Sequence, residues 1–386
     1  MENKRVFFVA TTPPFSFGGG AQATRAYLDA TLDFYGCENV TIMLFEDIEI
    51  PIEYKDLKFV RVPQLSTIKQ ILMFLRGHLS RLTSALLSYI KMHQDYYDIC
   101  IINGGTVGGR VIKYINKLGI KTITIHHNYE VEFCRDNKAK GTFGGKYMRI
   151  VRKLEKNSYK YSNLNLFLTK QDVILLENAY GKTLGLNVVI GTFDYKSRAK
   201  EKLFDNKKEY DITISGSLIN YQTTVGVSDF YYRYFPIAKK IIPNLKVLLT
   251  GRNPSNEIKL MQRSNPESLS IIANPEDILS VVQRGKVYVC PICIGGGLKL
   301  RAMDGLKCGM PILVHEVSAR GYDYYFDKPY FKIYHDEQSF RKGLEDLIVY
   351  IKENPNCYSV INNDYYGYFG YSEGFDRYKK ALQSLM

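Results

Sequence analysis

Residues Lys286 to Gly321 read KVYVCPICIGGGLKLRAMDGLKCGMPILVHEVSARG, and this stretch decides the fold. Val287 to Cys290 is a short apolar run of the kind that forms a buried strand. Gly295, Gly296 and Gly297 follow, a backbone able to turn sharply and lie close to a ligand. Leu298, Ala302, Met303 and Leu306 recur at helical spacing, which predicts a helix starting at the glycines. Gly309 closes that helix and Pro311 prevents its return. Ile312 to Val314 is a second buried strand, so the segment reads as a strand, glycine loop, helix and strand, a βαβ unit. Backbone N–H groups and the positive end of a helix dipole at the glycines suit a phosphate. Lys299 and Arg301 add positive charge, and Asp304, a turn further on, is placed to accept hydrogen bonds from sugar hydroxyls. The stretch predicts an anionic, hydroxyl-bearing ligand.

Working outward, 386 residues are long for one domain and natural for two. With 45% hydrophobic and 24% charged residues, the chain is an ordinary globular sequence that can bury a sizeable core. A formal net charge of +13 asks for an anionic partner. No helix-turn-helix or zinc-finger signature directs that charge to nucleic acid, and the basic residues are spread rather than gathered in one tract. Seven scattered cysteines, an odd number, are not a secreted disulfide framework. Cys290 and Cys293 lack the second pair that a zinc ribbon needs, so no metal is expected. No signal-peptide core and no membrane-spanning run is present, which predicts a cytoplasmic chain.

Strands alternate with helices throughout, which predicts an α/β chain of mostly parallel sheets. Val6 to Ala10 is the first strand, and Gly18, Gly19 and Gly20 lead from it into a helix over Ala21 to Tyr35. Ile99 to Ile102 ends in Asn103-Gly104-Gly105, and Lys121 to Ile125 ends in His126-His127-Asn128. Ile68 to Met92 reads as one basic amphipathic helix without acids. Such a helix lies on an anionic membrane or packs on the sheet with its basic face solvated; the pattern alone fits both. In the second half, Val225 to Ile242 reads as a long helix, and strands ending at Ser215-Gly216-Ser217 and Gly251-Arg252 precede the glycine stretch. The predicted division is 1–195, a charged linker 196–210, a second domain 211–365, and a closing helix in 366–386 that packs back on the first domain. Both halves are doubly wound, so a ligand is expected at the carboxyl ends of the strands, between domains.

Among the candidate residues, successive side chains on a strand alternate, so only one of His126 and His127 points toward a ligand. Asn128, Glu130 and Glu132 follow within reach. Gly18 to Gly20 is either a turn device or a second close approach to phosphate or sugar. Lys299 and Arg301 share one ligand only if the first helical turn is irregular, and Arg301 and Asp304, three apart, can instead pair with each other. Arg252 is a weaker candidate for the same anion. No Ser–His–Asp order, nucleophile elbow or P-loop spacing occurs.

Together these residues resemble the GT-B glycosyltransferases, specifically the large nucleotide-sugar-dependent family 4. C-P-I-C-I-G-G-G-L-K-L-R-A-M-D-G-L-K-C-G-M-P-I-L-V-H-E-V-S-A-R-G is similar to the family's glycine loop, Lys/Arg, acid, helix, Gly-x-Pro and strand. F-G-G-G-A-Q-A-T-R is similar to its N-terminal glycine loop, and I-H-H-N-Y-E-V-E to its His-Asn-x-Glu segment, with His127 at the active-site histidine. Two departures stand out. Asp304 takes the place of the second of the family's paired glutamates, and Gly296 takes the place of the first. The Arg and Lys usual after the first donor-domain strand are not evident after Gly216. The resemblance implies two Rossmann-like domains facing each other across a central cleft, and a metal-independent, retaining transfer from a nucleotide-sugar, UDP-sugar first, to a hydroxyl acceptor. It implies catalytic roles for His127, Lys299 and Arg301. Donor contacts would come from Gly18, Gly19, Gly20, Gly216, Arg252, Gly295, Gly296, Gly297, Leu298 and Asp304, with Asn128 and Glu130 on the acceptor side. The implied acceptor is a saccharide or lipid-linked saccharide of cell-surface polysaccharide or glycoconjugate assembly, reached from the inner face of the plasma membrane, with the basic helix 68–92 on anionic lipid. A nucleotide-sugar epimerase of the same fold and a non-catalytic sugar-nucleotide-binding protein are the alternatives.

Overall fold

Five consecutive apolar residues, Val6 to Ala10, have no solvent-facing side because they form a central strand covered on both faces. The computed structural model describes residues 4–16, 18–136, 144–197 and 207–385. The chain separates into two units, Met1–Ala199 with Tyr371–Met386, and Lys200–Gly370. The charged segment 196–210 lies largely outside the described residues, as does Phe17.

The first unit is a seven-stranded parallel sheet of β1 (Val6–Ala10), β2 (Val40–Phe45), β3 (Lys58–Val62), β4 (Ile99–Asn103), β5 (Lys121–His126), β6 (Leu164–Phe167) and β7 (Leu186–Val189), in the order β3-β2-β1-β4-β5-β6-β7. Val6 pairs with Val40 on one side and Ile99 on the other. The chain winds outward from β1 to β3 and then returns to β4 on the opposite side of β1. That reversal puts a topological switch point at the carboxyl ends of β1 and β4, the place where α/β sheets hold ligands. The helices are α1 (Gly19–Tyr35), α2 (Thr67–Leu75), α3 (Arg81–Met92), α4 (Ile112–Lys117), α5 (Glu130–Asp136), α6 (Gly144–Tyr161) and α7 (Lys170–Tyr180). Phe7, Val9, Cys100 and Ile102 cluster with Leu82, Leu86 and Ile90 of α3 and Ile115 of α4.

The second unit repeats the plan with β8 (Tyr210–Ser217), β9 (Val247–Arg252), β10 (Leu269–Ala273), β11 (Gly285–Cys290), β12 (Ile312–His315) and β13 (Phe331–Tyr334), ordered β10-β9-β8-β11-β12-β13. Its reversal falls between β8 and β11. Its helices are α8 (Tyr221–Asp229), α9 (Phe235–Ile241), α10 (Asn256–Ser264), α11 (Ile278–Val282), α12 (Arg301–Lys307), α13 (Glu337–Glu353) and α14 (Cys357–Phe369). Strand alternation divides the core in two. Val287 and Val289 join Phe230, Tyr234 and Leu344, while Tyr288 and Cys290 join Met303, Leu306, Tyr365 and Phe369. Each large side chain withdrawn from water in this way contributes about 1.5–3 kcal/mol. A last helix, α15 (Tyr371–Gln383), belongs to the first unit. Its Tyr378 hydroxyl lies 2.9 Å from Thr31 Oγ1, Arg377 Nε donates to the Ile190 carbonyl at 3.0 Å, and Gly374 leaves room for the Phe193 ring.

Three expected helices take a different form. Residues 68–92 are two helices rather than one, because Gly77 turns left-handed (φ 78°) and Ser80 caps a new start by accepting from Leu82 N at 3.2 Å. The Arg110 guanidinium donates to the Gly77 carbonyl at 3.1 Å and occupies the space a Cβ would need. Residues 225–242 begin earlier, at Tyr221, where the Asn220 side chain accepts from Gln222 N, and a π turn over Phe230–Tyr234 separates α8 from α9. The helix after the glycine loop begins at Arg301, four residues past the last glycine, so the glycines are not its first turn. Among the described residues no helix is long and apolar enough to cross a membrane.

Candidate functional site

In the second unit, β11 delivers the chain to the β8/β11 reversal point and the glycine loop begins there. Gly295 (φ 90°) and Gly297 (φ 71°) adopt left-handed backbone that side chains resist, and a Cβ on Gly295 would meet Gln222 Nε2 at 2.2 Å. Around this turn the loop is fastened from three sides. Ser318 Oγ donates to the Ile292 carbonyl at 2.7 Å. Tyr322 Oη donates to the Lys299 carbonyl at 2.8 Å and accepts from Met303 N at 3.1 Å, which ties the loop to α12. Leu298 packs against the core below.

Lys299 is only 7% exposed, and its ammonium donates to the carbonyls of Gly295 at 2.9 Å and Gly296 at 2.8 Å. The expected helix dipole therefore does not act at the glycines; the cation there is a lysine folded into the loop. Carbonyl oxygens can solvate an ammonium, which lets this side chain lie within the loop in a position protected from water. Arg301 and Asp304 meet each other, Nη1 to Oδ2 at 3.0 Å, with Asp304 buried. Gly216 pairs in register with Gly251, and Ser217 with Arg252, so exposed Arg252 sits on the strand next to β8.

In the first unit, a chain of hydrogen bonds joins two sequence candidates, Gly20 and His127, at the β1/β4 reversal. Thr24 Oγ1 donates to the Gly20 carbonyl at 2.8 Å, and Asn103 Nδ2 donates to Thr24 Oγ1 at 2.6 Å. His127 Nε2 in turn donates to Asn103 Oδ1. Burial, reinforced by the neighbouring His126, pushes the His127 imidazole down to about 4, so it is neutral at physiological pH. His126 faces other groups. It is fully buried, stacks on Phe167, and bonds Asn165 Oδ1 at 2.9 Å. Gly18 precedes α1 with open space around it and Gly19 begins the helix. Asn128 is half-buried beside His127 in sequence.

Glu130 opens α5 rather than joining His127. Its backbone N–H donates to Glu155 Oε1 at 2.6 Å, and Tyr180 Oη donates to Glu155 Oε2 at 2.7 Å. Burial pushes Glu155 up to about 8 and Glu130 up to about 7, and nearby Asp172 adds to both. The folded chain thus holds protons that the unfolded chain releases near pH 4.5. The resulting stability is fully present below that pH and is lost as pH rises through about 8. Glu155→Gln is expected to flatten the fall in Tm between pH 5 and 8 and to melt about 2–4 °C above the parent at pH 8. Parallel melting curves across that range would dismiss the buried carboxyl as the cause.

Sequence reasoning missed Gln222, Tyr322, Asn103 as the partner of His127, and Glu155. Asn103 alone left a signal, a polar residue ending an otherwise apolar strand.

No family model and no curated protein matches this chain by sequence. Solved structures match it over its full length. Sucrose-phosphate synthase from Thermosynechococcus elongatus superposes with a TM-score of 0.71 at 11% identity, covering 99% of both chains. HepE from Anabaena, solved in complex with UDP, gives 0.70 at 10% identity, covering 98% of this chain and 100% of that one. WaaG, a glycosyltransferase involved in lipopolysaccharide biosynthesis, gives 0.62 at 13% identity, covering 97% and 98%. With two doubly wound parallel sheets matched end to end, the chain has the GT-B fold of the glycosyltransferases.

Proposed function

We propose that this protein is a glycosyltransferase that moves a sugar from a nucleotide-sugar donor to an acceptor hydroxyl. One observation carries the reading: a buried lysine, Lys299, is folded into a glycine loop at the reversal point of the second sheet, in a fold whose solved examples include a UDP complex. In the reaction, the bond between the anomeric carbon and the diphosphate oxygen breaks as the acceptor oxygen bonds to the same face of that carbon, so configuration is retained. The acceptor's proton passes to the departing diphosphate, and no protein base is required. Lys299, turning from its loop carbonyls toward the phosphates, stabilises the charge that develops there. Arg301 shares this task, and Asp304 holds the ribose once it exchanges its arginine partner for hydroxyls. Neutral His127 contacts the transferred sugar by hydrogen bonding. A UDP-hexose is the first donor to test, with a saccharide or lipid-linked saccharide acceptor of cell-surface polysaccharide or glycoconjugate assembly. The setting in this reading is cytoplasmic, peripheral on the inner face of the plasma membrane.

A thermal-shift screen of nucleotide-sugars tests the donor, since a ligand at a hundred times its Kd adds about 2.7 kcal/mol of stability. Transfer from the hit to an acceptor is then expected to continue undiminished in EDTA, because side chains rather than a metal supply the positive charge. A shift with neither transfer nor donor hydrolysis would favour the non-catalytic alternative, which Gly296 at a glutamate position supports. Epimer formation would favour the other, and loss of activity in EDTA would refute metal independence.

A further inference from the structure

Four apolar residues of α2 point into water. Ile68 is 72% exposed, Ile71 54%, Leu72 47% and Leu75 51%, and no residue of this helix is buried. At 100° per residue these four occupy an arc of about 100°, with Lys69 and Arg76 along one edge. Four large aliphatic groups on one two-turn helix are a concentrated apolar surface, and nothing in the helix's own fold requires them.

The neighbouring α6 presents a complementary feature. Its exposed side chains include Lys146, Arg149, Arg152, Lys153 and Lys156, which fall within an arc of about 120° opposite the buried Val151, Leu154 and Ser158. The one acid in this helix, Glu155, is buried and turned to the core. The two helices touch. The Phe74 ring of α2 stacks on Tyr147 at 6.5 Å, and Lys146 Nζ lies 5.7 Å from the centre of the Phe74 ring. An apolar face and a purely basic face therefore adjoin in one unit. The sequence suggests a single surface over 68–92, but Leu82, Leu86 and Ile90 are buried and Arg81 pairs with Asp47 at 2.7 Å, so α3 is not part of it.

We propose that α2 and α6 together form a docking surface for an anionic lipid bilayer. Ile68, Ile71, Leu72 and Leu75 enter the headgroup region, and the α6 cations contact phosphates. Charge selects this occupant: a bilayer of anionic lipids supplies both the apolar depth that α2 needs and the dense negative surface that α6 needs. The proposal rests on the transferase reading for its partner, an acceptor at a membrane, but its test does not use donor or acceptor, so the two fail separately.

The test is co-sedimentation of the full chain with phosphatidylcholine vesicles, with and without phosphatidylglycerol. Strong binding is expected only with phosphatidylglycerol. The pairs Ile71→Glu with Leu75→Glu, and Arg149→Glu with Lys153→Glu, are each expected to weaken it about tenfold or more at unchanged Tm, while Lys352→Glu on the other unit has no effect. Equal binding to both vesicle types, no binding, or full binding by both paired variants would overturn the proposal. A dimer in vesicle-free buffer that Ile71→Glu with Leu75→Glu abolishes would overturn it too, and assign the face to a second copy.

Discussion

Lys299→Ala is expected to lower kcat/KM for the nucleotide-sugar by about a hundredfold or more, with losses in both donor affinity and turnover. A hydrogen bond between charged partners contributes about 1.5–3 kcal/mol, and removing a donor aimed at developing charge costs about 10²–10³ in kcat. The same ammonium binds the carbonyls of Gly295 and Gly296, so the variant also loosens the loop and lowers Tm modestly. Steady-state kinetics with a parallel melting curve separates the two effects. Lys299→Arg is not expected to rescue, because a planar fork cannot take the place of a compact ammonium between two carbonyls. Normal kinetics in Lys299→Ala would remove this residue from the site and with it the main support for the donor position.

His127→Ala is expected to reduce turnover by about a hundredfold while nucleotide affinity changes less than about threefold. The imidazole bonds Asn103, which is joined through Thr24 to Gly20, so its loss frees the side chain that holds the β1/β4 end together. Because the ring stays neutral above about pH 4, the parent's rate profile is expected to show no inflection near 6.5 from this group. Asn103→Ala, which leaves the ring but removes its partner, is expected to fall between the two. An affinity loss as large as the turnover loss would make His127 a nucleotide contact; an inflection near 6.5 that disappears with the ring would show that it is a charged participant.

Much of this fold is legible because parallel sheets leave plain marks. Val6 to Ala10 and Val287 to Cys290 are short apolar runs, each followed by glycines, and their length and flanks favour the strands buried on both faces that they form. What was not legible depends on tertiary contacts. Gly77 looks like a tolerated interruption in a helical pattern until Arg110, from the turn before α4, is seen donating to its carbonyl. The helix at Cys357–Phe369 is rich in tyrosine and asparagine, poor helix formers, and is fixed by one seam of Cys357, Ile361, Tyr365 and Phe369 against the core. In the candidate site the residue types were readable, but only one of the partnerships was. The pairing of Arg301 with Asp304, three residues apart on one helix, was readable from their spacing and is what the structure holds; that Lys299 is folded back on the carbonyls of its own loop is a matter of three-dimensional packing.

The return of α15 to the first unit has a consequence for how the protein is made. The second unit is one uninterrupted length of chain, Lys200–Gly370, whereas the first is assembled from both ends. On a ribosome, the second unit can finish folding while Thr31, Ile190 and Phe193 still await Tyr378, Arg377 and Gly374. A nascent first unit therefore leaves these polar groups and the Tyr27 and Phe193 rings, which Tyr378 and Tyr371 pack against, uncovered until Tyr371–Gln383 emerges, and a stop codon before Tyr371 would leave them so for good. Such a truncated product would be a substrate for chaperones and proteases even though every residue of the candidate site had been synthesised.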